Sequence, residues 1–116
     1  MVRKEKIVTV EGLRGGAGTI EIHHILEKEE LMGHAKMFAR VIVKPHSGIG
    51  WHQHEHDTEP YAIIKGEGIF TDNDGTKTII KPGDVCVINV GEWHSMENNT
   101  DEDMEMIALV LNEEVK

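Results

Sequence analysis

Short apolar runs rich in β-branched residues recur along the chain at 7–10, 19–26, 37–43, 61–64, 69–71, 76–80, 85–90 and 104–111. Turn formers separate them: Gly15-Gly16, Pro45, Gly48, Gly50, Gly66, Gly68, Pro82-Gly83, Gly91 and Asn98-Asn99. Runs this short, punctuated this often, predict an all-β sandwich, barrel or jelly roll. Asp74-Gly75 supplies the positive φ that a tight hairpin between 69–71 and 76–80 requires. Only 27–32, Glu-Lys-Glu-Glu-Leu-Met with Gly33 behind it, predicts helix, and no more than a turn or two. Gly15-Gly16-Ala17-Gly18 lacks the Lys-Ser/Thr of a phosphate loop and no helix follows it, so it reads as a flexible turn.

A chain of 116 residues, 39% hydrophobic and 28% charged, makes one domain over 1–116 with one modest core. Its formal charge of −9 repels phosphate backbones and anionic membranes, so neither nucleic acid nor a membrane is an expected partner. No apolar run approaches the roughly 20 residues of a membrane span. The start, Met1 to Lys6, leads into Ile7-Val8-Thr9-Val10 without a signal-peptide core. Cys86, the only cysteine, lies in the apolar stretch Val85-Cys86-Val87-Ile88 and reads as a core residue. A reducing, cytoplasmic setting is expected.

Of eight histidines, His46, His52, His54 and His56 crowd together, and His94 stands alone downstream. The segment Trp51-His52-Gln53-His54-Glu55-His56-Asp57-Thr58-Glu59 is bracketed by Gly50 and Pro60, too short for a stable helix. In an extended strand His52 and His54 share a face, and so do His54 and His56. A bend at Asp57-Thr58 would bring the Glu59 carboxylate back to the same place. Neutral imidazoles with a carboxylate suit Mn, Fe, Co, Ni or Zn. Spacing alone leaves both histidine pairs open, and a solvated acidic loop is the plain alternative.

Two further spacings sharpen the picture. His52-x-His54 is followed after four residues by Glu59 and after six more by Gly66. Downstream, Gly83 is followed after five residues by Asn89-x-Gly91, after two by His94 and after three by Asn98. This ordered pair, over 46–66 and 83–98, resembles the two motifs of the cupin superfamily, and most closely its small single-domain members. Two positions depart from the pattern: His46 stands where the first motif opens on Gly, and Asn89 where the second has Pro. The resemblance implies a double-stranded β-helix, a jelly-roll barrel holding a divalent transition metal in one mouth. It implies His52, His54, Glu59 and His94 as ligands, with His56 on the rim. Cupins use such sites for dioxygenation, decarboxylation and isomerisation, or to bind and sense a small molecule. An open coordination position for a small polar metabolite is therefore expected. An enzyme, a non-catalytic binding module and a structural metal staple stay open as alternatives, and catalytic residues remain unassigned. The resemblance also implies a homodimer, to which the edge strand at 7–10 would contribute.

Strand parity places Tyr61 and Ile63 on the face of Glu59, and Met96 on that of His94. Tyr61 is expected to pack with its hydroxyl satisfied, or to donate a hydrogen bond to a bound oxygen. Trp51 and Trp93, each beside a ligand in sequence, should point away from the ion as packing or interface residues. Arg40 is expected at the surface, with a clamp on a substrate carboxylate as its alternative. His24 shares a face with Ile20, Ile22 and Leu26 and is expected to be a hydrogen-bonded core or interface histidine. The inward side of 104–111 is open, because both faces of that run are apolar.

Overall fold

The computed structural model describes residues 1–115 and arranges them as two antiparallel sheets. The first contains β1 (Lys6–Glu11), β2 (Thr19–Leu26), β3 (Ala35–Val43), β5 (Asp57–Lys65), β8 (Val85–Ile88) and β10 (Met104–Asn112), in the order β1-β2-β3-β10-β5-β8. The second contains β4 (Ser47–Gln53), β6 (Gly68–Thr71), β7 (Lys77–Ile80) and β9 (Trp93–Asn98), in the order β4-β9-β6-β7. This is a jelly-roll barrel. The alternation expected of half-buried strands fills its interior: Ala39, Val41 and Val43 from β3, and Met104, Met106 and Ala108 from β10, meet Ile49, Phe70 and Met96 of the facing sheet. The inward side of β10 is thus its Met-Met-Ala side, while Glu105, Ile107 and Leu109 face out, half-buried. Cys86 is buried in the same core, where loss of hydration pushes its thiol up to about 11 and leaves it inert.

The 69–71 and 76–80 runs pair as a hairpin through Asp74-Gly75, with Gly75 at φ 88°. The helical segment is a single turn, α1 (Lys28–Leu31), closed at its start by a reciprocal Glu27–Glu30 capping box. It ends on Met32 at φ 54°, one residue before the expected Gly33.

Two strands are missing from the apolar runs, β4 and β9. Both carry glycine, histidine or other polar side chains into the barrel, so their buried faces do not read as hydrophobic. The Gly15–Gly18 stretch also differs from expectation, being clamped rather than flexible. Around a 3-10 turn at Leu13–Gly15, Gly48 N–H donates to the Ala17 carbonyl at 2.8 Å, and Thr19 N–H donates to Ser47 Oγ at 2.9 Å. A Cβ on Gly16 would lie 2.3 Å from the Gly48 carbonyl oxygen, so only glycine permits this approach.

On the outer face of the larger sheet, His23 rather than His24 is the buried, hydrogen-bonded histidine. Its ring nitrogens lie 3.0 Å from Glu21 Oε1 and 3.1 Å from Arg40 Nη2. Arg40 points away from the barrel and pairs with Glu5 and Glu105, which settles it as a surface residue rather than a clamp. His24 is half-buried on the inner face at the sheet's β1 end. No helix among the described residues is long and apolar enough to cross a membrane.

Candidate metal centre

His52, His54, Glu59 and His94 are all buried, and one ligand atom from each lies within 4.8 Å of the others. β4 carries His52, the turn after it carries His54, β5 opens near Glu59, and β9 carries His94. β4 and β9 pair Ile49 with Met96 and His52 with His94, so β4 spends one residue more than β9 over this stretch. That bulge at Gly50-Trp51 turns both Ile49 and His52 inward, which straight strand parity forbids. His56 is left outside, its imidazole exposed at φ 64° and 3.4 Å from Glu113 Oε2.

The four ligand atoms face one point. His94 Nε2 lies 3.1 Å from His52 Nε2 and 3.0 Å from His54 Nε2. Glu59 Oε1 lies 3.0 Å from His54 Nε2 and 3.6 Å from His94 Nε2. Neighbouring ligands on a six-coordinate ion with bonds of about 2.1 Å stand about 3.0 Å apart, so the spacing suits a transition metal. Tautomers agree. His52 Nδ1–H donates to the Gly50 carbonyl at 2.7 Å, and His54 Nδ1–H donates to Asp57 Oδ1 at 2.7 Å. With the proton on Nδ1, both Nε2 atoms present bare lone pairs inward, where only a cation or a shared proton can relieve them.

The electrostatics divide the histidines. Burial, then the neighbouring His52 and His54, push His94 down to about 3. Burial likewise lowers His52, against the hydrogen bond to Gly50. Burial also opposes the charged form of His54, but the carboxylates of Glu59 and Asp57 outweigh it and raise that ring. At neutral pH His52 and His94 are therefore neutral donors, as coordination requires. Burial, then the charge of Glu59, drives the Tyr61 hydroxyl well above its usual range, so it stays a phenol and donates to Glu59 Oε1 at 2.9 Å. Tyr61 thus packs with its hydroxyl satisfied, and it steadies the carboxylate.

Sequence reasoning missed Asp57, treating it as a bend. It is buried, holding His54 through Oδ1 and Lys36 Nζ through Oδ2 at 2.6 Å. A carboxylate three residues after a candidate ligand is the signal that was available. Asn98 of the second motif serves the fold: fully buried, its Nδ2 donates to the carbonyls of Val43, Lys44 and Glu102. Met96 packs in the core beneath His94.

The cluster opens into a cavity of about 750 Å³ whose lining includes Arg14, Val41, Ile49, Tyr61 and Met106. At the rim Trp51 and Trp93 stack with ring centroids 6.1 Å apart; both are exposed, and both line the cavity.

Residues 39–110 match the family model described as Cupin domain. The chain is a cupin. It is 42% identical over 113 residues to a Thermotoga maritima protein named oxalate-binding protein, covering 96% of this chain and 93% of that one. A crystal structure from Thermotoga maritima, described as a predicted oxalate decarboxylase, superposes with a TM-score of 0.89 at 40% identity, covering 97% of this cupin and 98% of that chain. A Cupin 2 conserved barrel domain protein from Salinispora arenicola shares the fold at a TM-score of 0.68 and 22% identity, covering 80% of this cupin and 76% of that chain. In this cupin a buried three-histidine, one-glutamate cluster is present that could hold a metal ion, at the four residues the family resemblance implied.

Proposed function

We propose that His52, His54, Glu59 and His94 ligate one divalent transition metal, and that this cupin binds oxalate or a closely similar small carboxylate there. The observation that carries this reading is the convergence of three imidazole nitrogens and one carboxylate oxygen at the base of an open cavity. A purely structural site would be closed by its ligands, whereas four ligands on a five- or six-coordinate ion leave room for another donor. The bound ion supplies a Lewis-acidic position for a carboxylate oxygen. The chain's own residues do the rest. Asp57 and the Gly50 carbonyl fix the ring orientations, Tyr61 steadies Glu59, and the apolar walls at Val41, Ile49 and Met106 exclude water from the ligand's flanks. The name of the Thermotoga maritima relative, for binding oxalate, and the description of the similar Thermotoga maritima structure, as a predicted oxalate decarboxylase, support the ligand class.

Calorimetric titration of manganese-loaded protein with oxalate tests the proposal. Saturable binding that disappears in His52→Ala supports it, and no binding by metal-loaded protein overturns it. Turnover is the second reading, favoured by the description of the similar structure as a decarboxylase. Formate and carbon dioxide released from oxalate, and lost in the same variant, would establish it. Binding without either product establishes a binding module.

We also infer a homodimer. The edge strand β1 exposes Ile7 and Val8 beside the free flank of the larger sheet, apolar surface that a second copy would cover. Light scattering at tens of micromolar should give twice the chain mass. A monomeric mass removes this inference.

A further inference from the structure

Arg14 lines the cavity above the candidate metal centre, yet it lies outside residues 39–110, the part of the chain that matches the cupin family. Its placement is built rather than incidental. The 3-10 turn that carries it packs backbone to backbone on β4, and a Cβ on Gly50 would lie 2.0 Å from the Arg14 carbonyl oxygen. A Cβ on Gly18 would lie 2.1 Å from Ser47 Oγ, so glycines on both partners are what allow the clamp. Gly50 is also the residue whose carbonyl orients His52. One backbone position therefore ties the arginine loop to a candidate ligand. Arg14 itself sits at φ 56°, a left-handed conformation costly for a residue with a side chain.

The charge on this strained residue is free. The arginine ion pairs among the described residues belong to Arg3 and Arg40, and Arg14 makes none. The other cation lining the cavity, Lys36, is held by Asp57. Glu55 is the remaining rim carboxylate; it and Arg14 are both exposed and form no ion pair with one another. An unpaired guanidinium carried by a backbone clamped beside the cavity is matched by an anion with a second charged end, because its planar fork takes a carboxylate through two parallel hydrogen bonds.

We propose that Arg14 is the specificity-determining residue of this cavity, taking the far carboxylate of a two- or three-carbon dicarboxylate whose near carboxylate sits at the metal. The assignment rests on the metal-and-carboxylate reading above. It converts the glycine-rich loop from a chain reversal into the part of the site that separates dicarboxylates from monocarboxylates.

The test compares manganese-loaded wild type, Arg14→Gly and Arg14→Lys by calorimetric titration with oxalate, malonate and acetate, with manganese affinity measured separately by chelator competition. Glycine suits the left-handed backbone, so Arg14→Gly should melt no lower than wild type. In Arg14→Gly the better-bound dicarboxylate should weaken roughly ten- to a hundredfold, the loss expected for a charge-assisted contact, while acetate changes less than about threefold. Arg14→Lys should fall between, keeping the charge but losing the fork. Manganese should bind the glycine variant as tightly as wild type or more so, since a nearby cation has gone. Dicarboxylate affinity within about threefold of wild type overturns the role of Arg14 while leaving the metal-and-carboxylate reading intact. Equal losses for acetate and dicarboxylate reduce Arg14 to a general attractor and overturn the assignment. Failure of wild type to bind any of the three acids, with manganese bound, overturns the underlying reading and this inference with it.

Discussion

Asp57→Asn gives a direct check on the way the site is held. Asp57 uses both oxygens: Oδ1 accepts from His54 Nδ1–H at 2.7 Å and Oδ2 accepts from Lys36 Nζ at 2.6 Å. A carboxamide has one acceptor and cannot serve both donors. If its oxygen stays on His54, its NH2 group confronts the lysine ammonium, donor against donor. If it flips to satisfy Lys36, its NH2 faces Nδ1, which must then give up its proton. That proton moves to Nε2 and occupies the lone pair aimed at the ion. Either arrangement also removes the negative charge that supports the basicity of the ring. The contact is buried, with little water to replace it. Loss of such an outer-shell partner weakens metal binding by roughly ten- to a hundredfold, or about 1.4–2.7 kcal/mol. Chelator competition with manganese or zinc reads the change, and circular dichroism confirms that the variant folds. Lys36→Met in the Asp57→Asn background removes the competing donor and should restore part of the loss, a coupling that the double-mutant cycle isolates. Asp57→Asn with metal affinity within about threefold of wild type would refute the reasoning, because Asp57 would then be a mere partner of Lys36.

Metal-free protein should lose stability as pH falls. Folding pushes His94 down from 6.5 to about 3, so between those values the unfolded chain takes up a proton that the folded chain refuses. His52 acts in the same direction, and the raised His54 offsets part of it. The ceiling from His94 alone is about 5 kcal/mol, fully expressed near pH 3. Urea midpoints should decline from pH 7 to pH 4 and decline less in His94→Gln; an equal slope in both would contradict the assignment. His46 sits at φ 54°, so His46→Gly should raise stability by roughly 1 kcal/mol, a melting shift of a few degrees. Its exposed pairing with Asp101 subtracts little, and a lower melting temperature would count against this account. Gly50→Ala forces a Cβ against the backbone carbonyl of Arg14 and should cost roughly 2–4 kcal/mol in denaturant titrations, with an unchanged midpoint disproving the clamp.

The sequence was readable where function and strand geometry impose the same spacing. His52 and His54 lie two residues apart on one wall, Glu59 opens the next strand and His94 sits opposite His52, so a linear pattern projects directly onto the site. The His46 departure is equally legible in hindsight, because the backbone there keeps the positive φ that suits the glycine of the motif. What stayed hidden depends on contacts between distant segments. β4 shows no hydrophobic run because Ile49 is buried beside Ser47, Gly48 and His52, and its bulge breaks the parity rule between Ile49 and His52. His23 is buried instead of His24 because Glu5 and Arg40, remote in sequence, cover it. The loop at Gly15–Gly18 looked flexible because its restraint comes from Gly48 and Gly50 of another strand.

Charge ties the molecule's outside to its site. The chain as a whole carries −9 and repels polyanions. Inside the cavity the balance would reverse once an ion is bound: a divalent ion outweighs the single carboxylate of Glu59, Lys36 and Asp57 neutralise one another, and the exposed Arg14 and Glu55 offset one another in the count. A small dianion that enters feels the local sign at contact distance, while salt screens the surface charge beyond roughly 8–10 Å. Raising the ionic strength should therefore leave the affinity for a small dicarboxylate nearly constant while speeding its approach through the negative outer field. A ligand held only by long-range attraction would instead lose affinity as salt rises. The salt dependence of the association and dissociation rates, measured by stopped flow, thus separates a site built around two close positive groups from one that merely attracts anions.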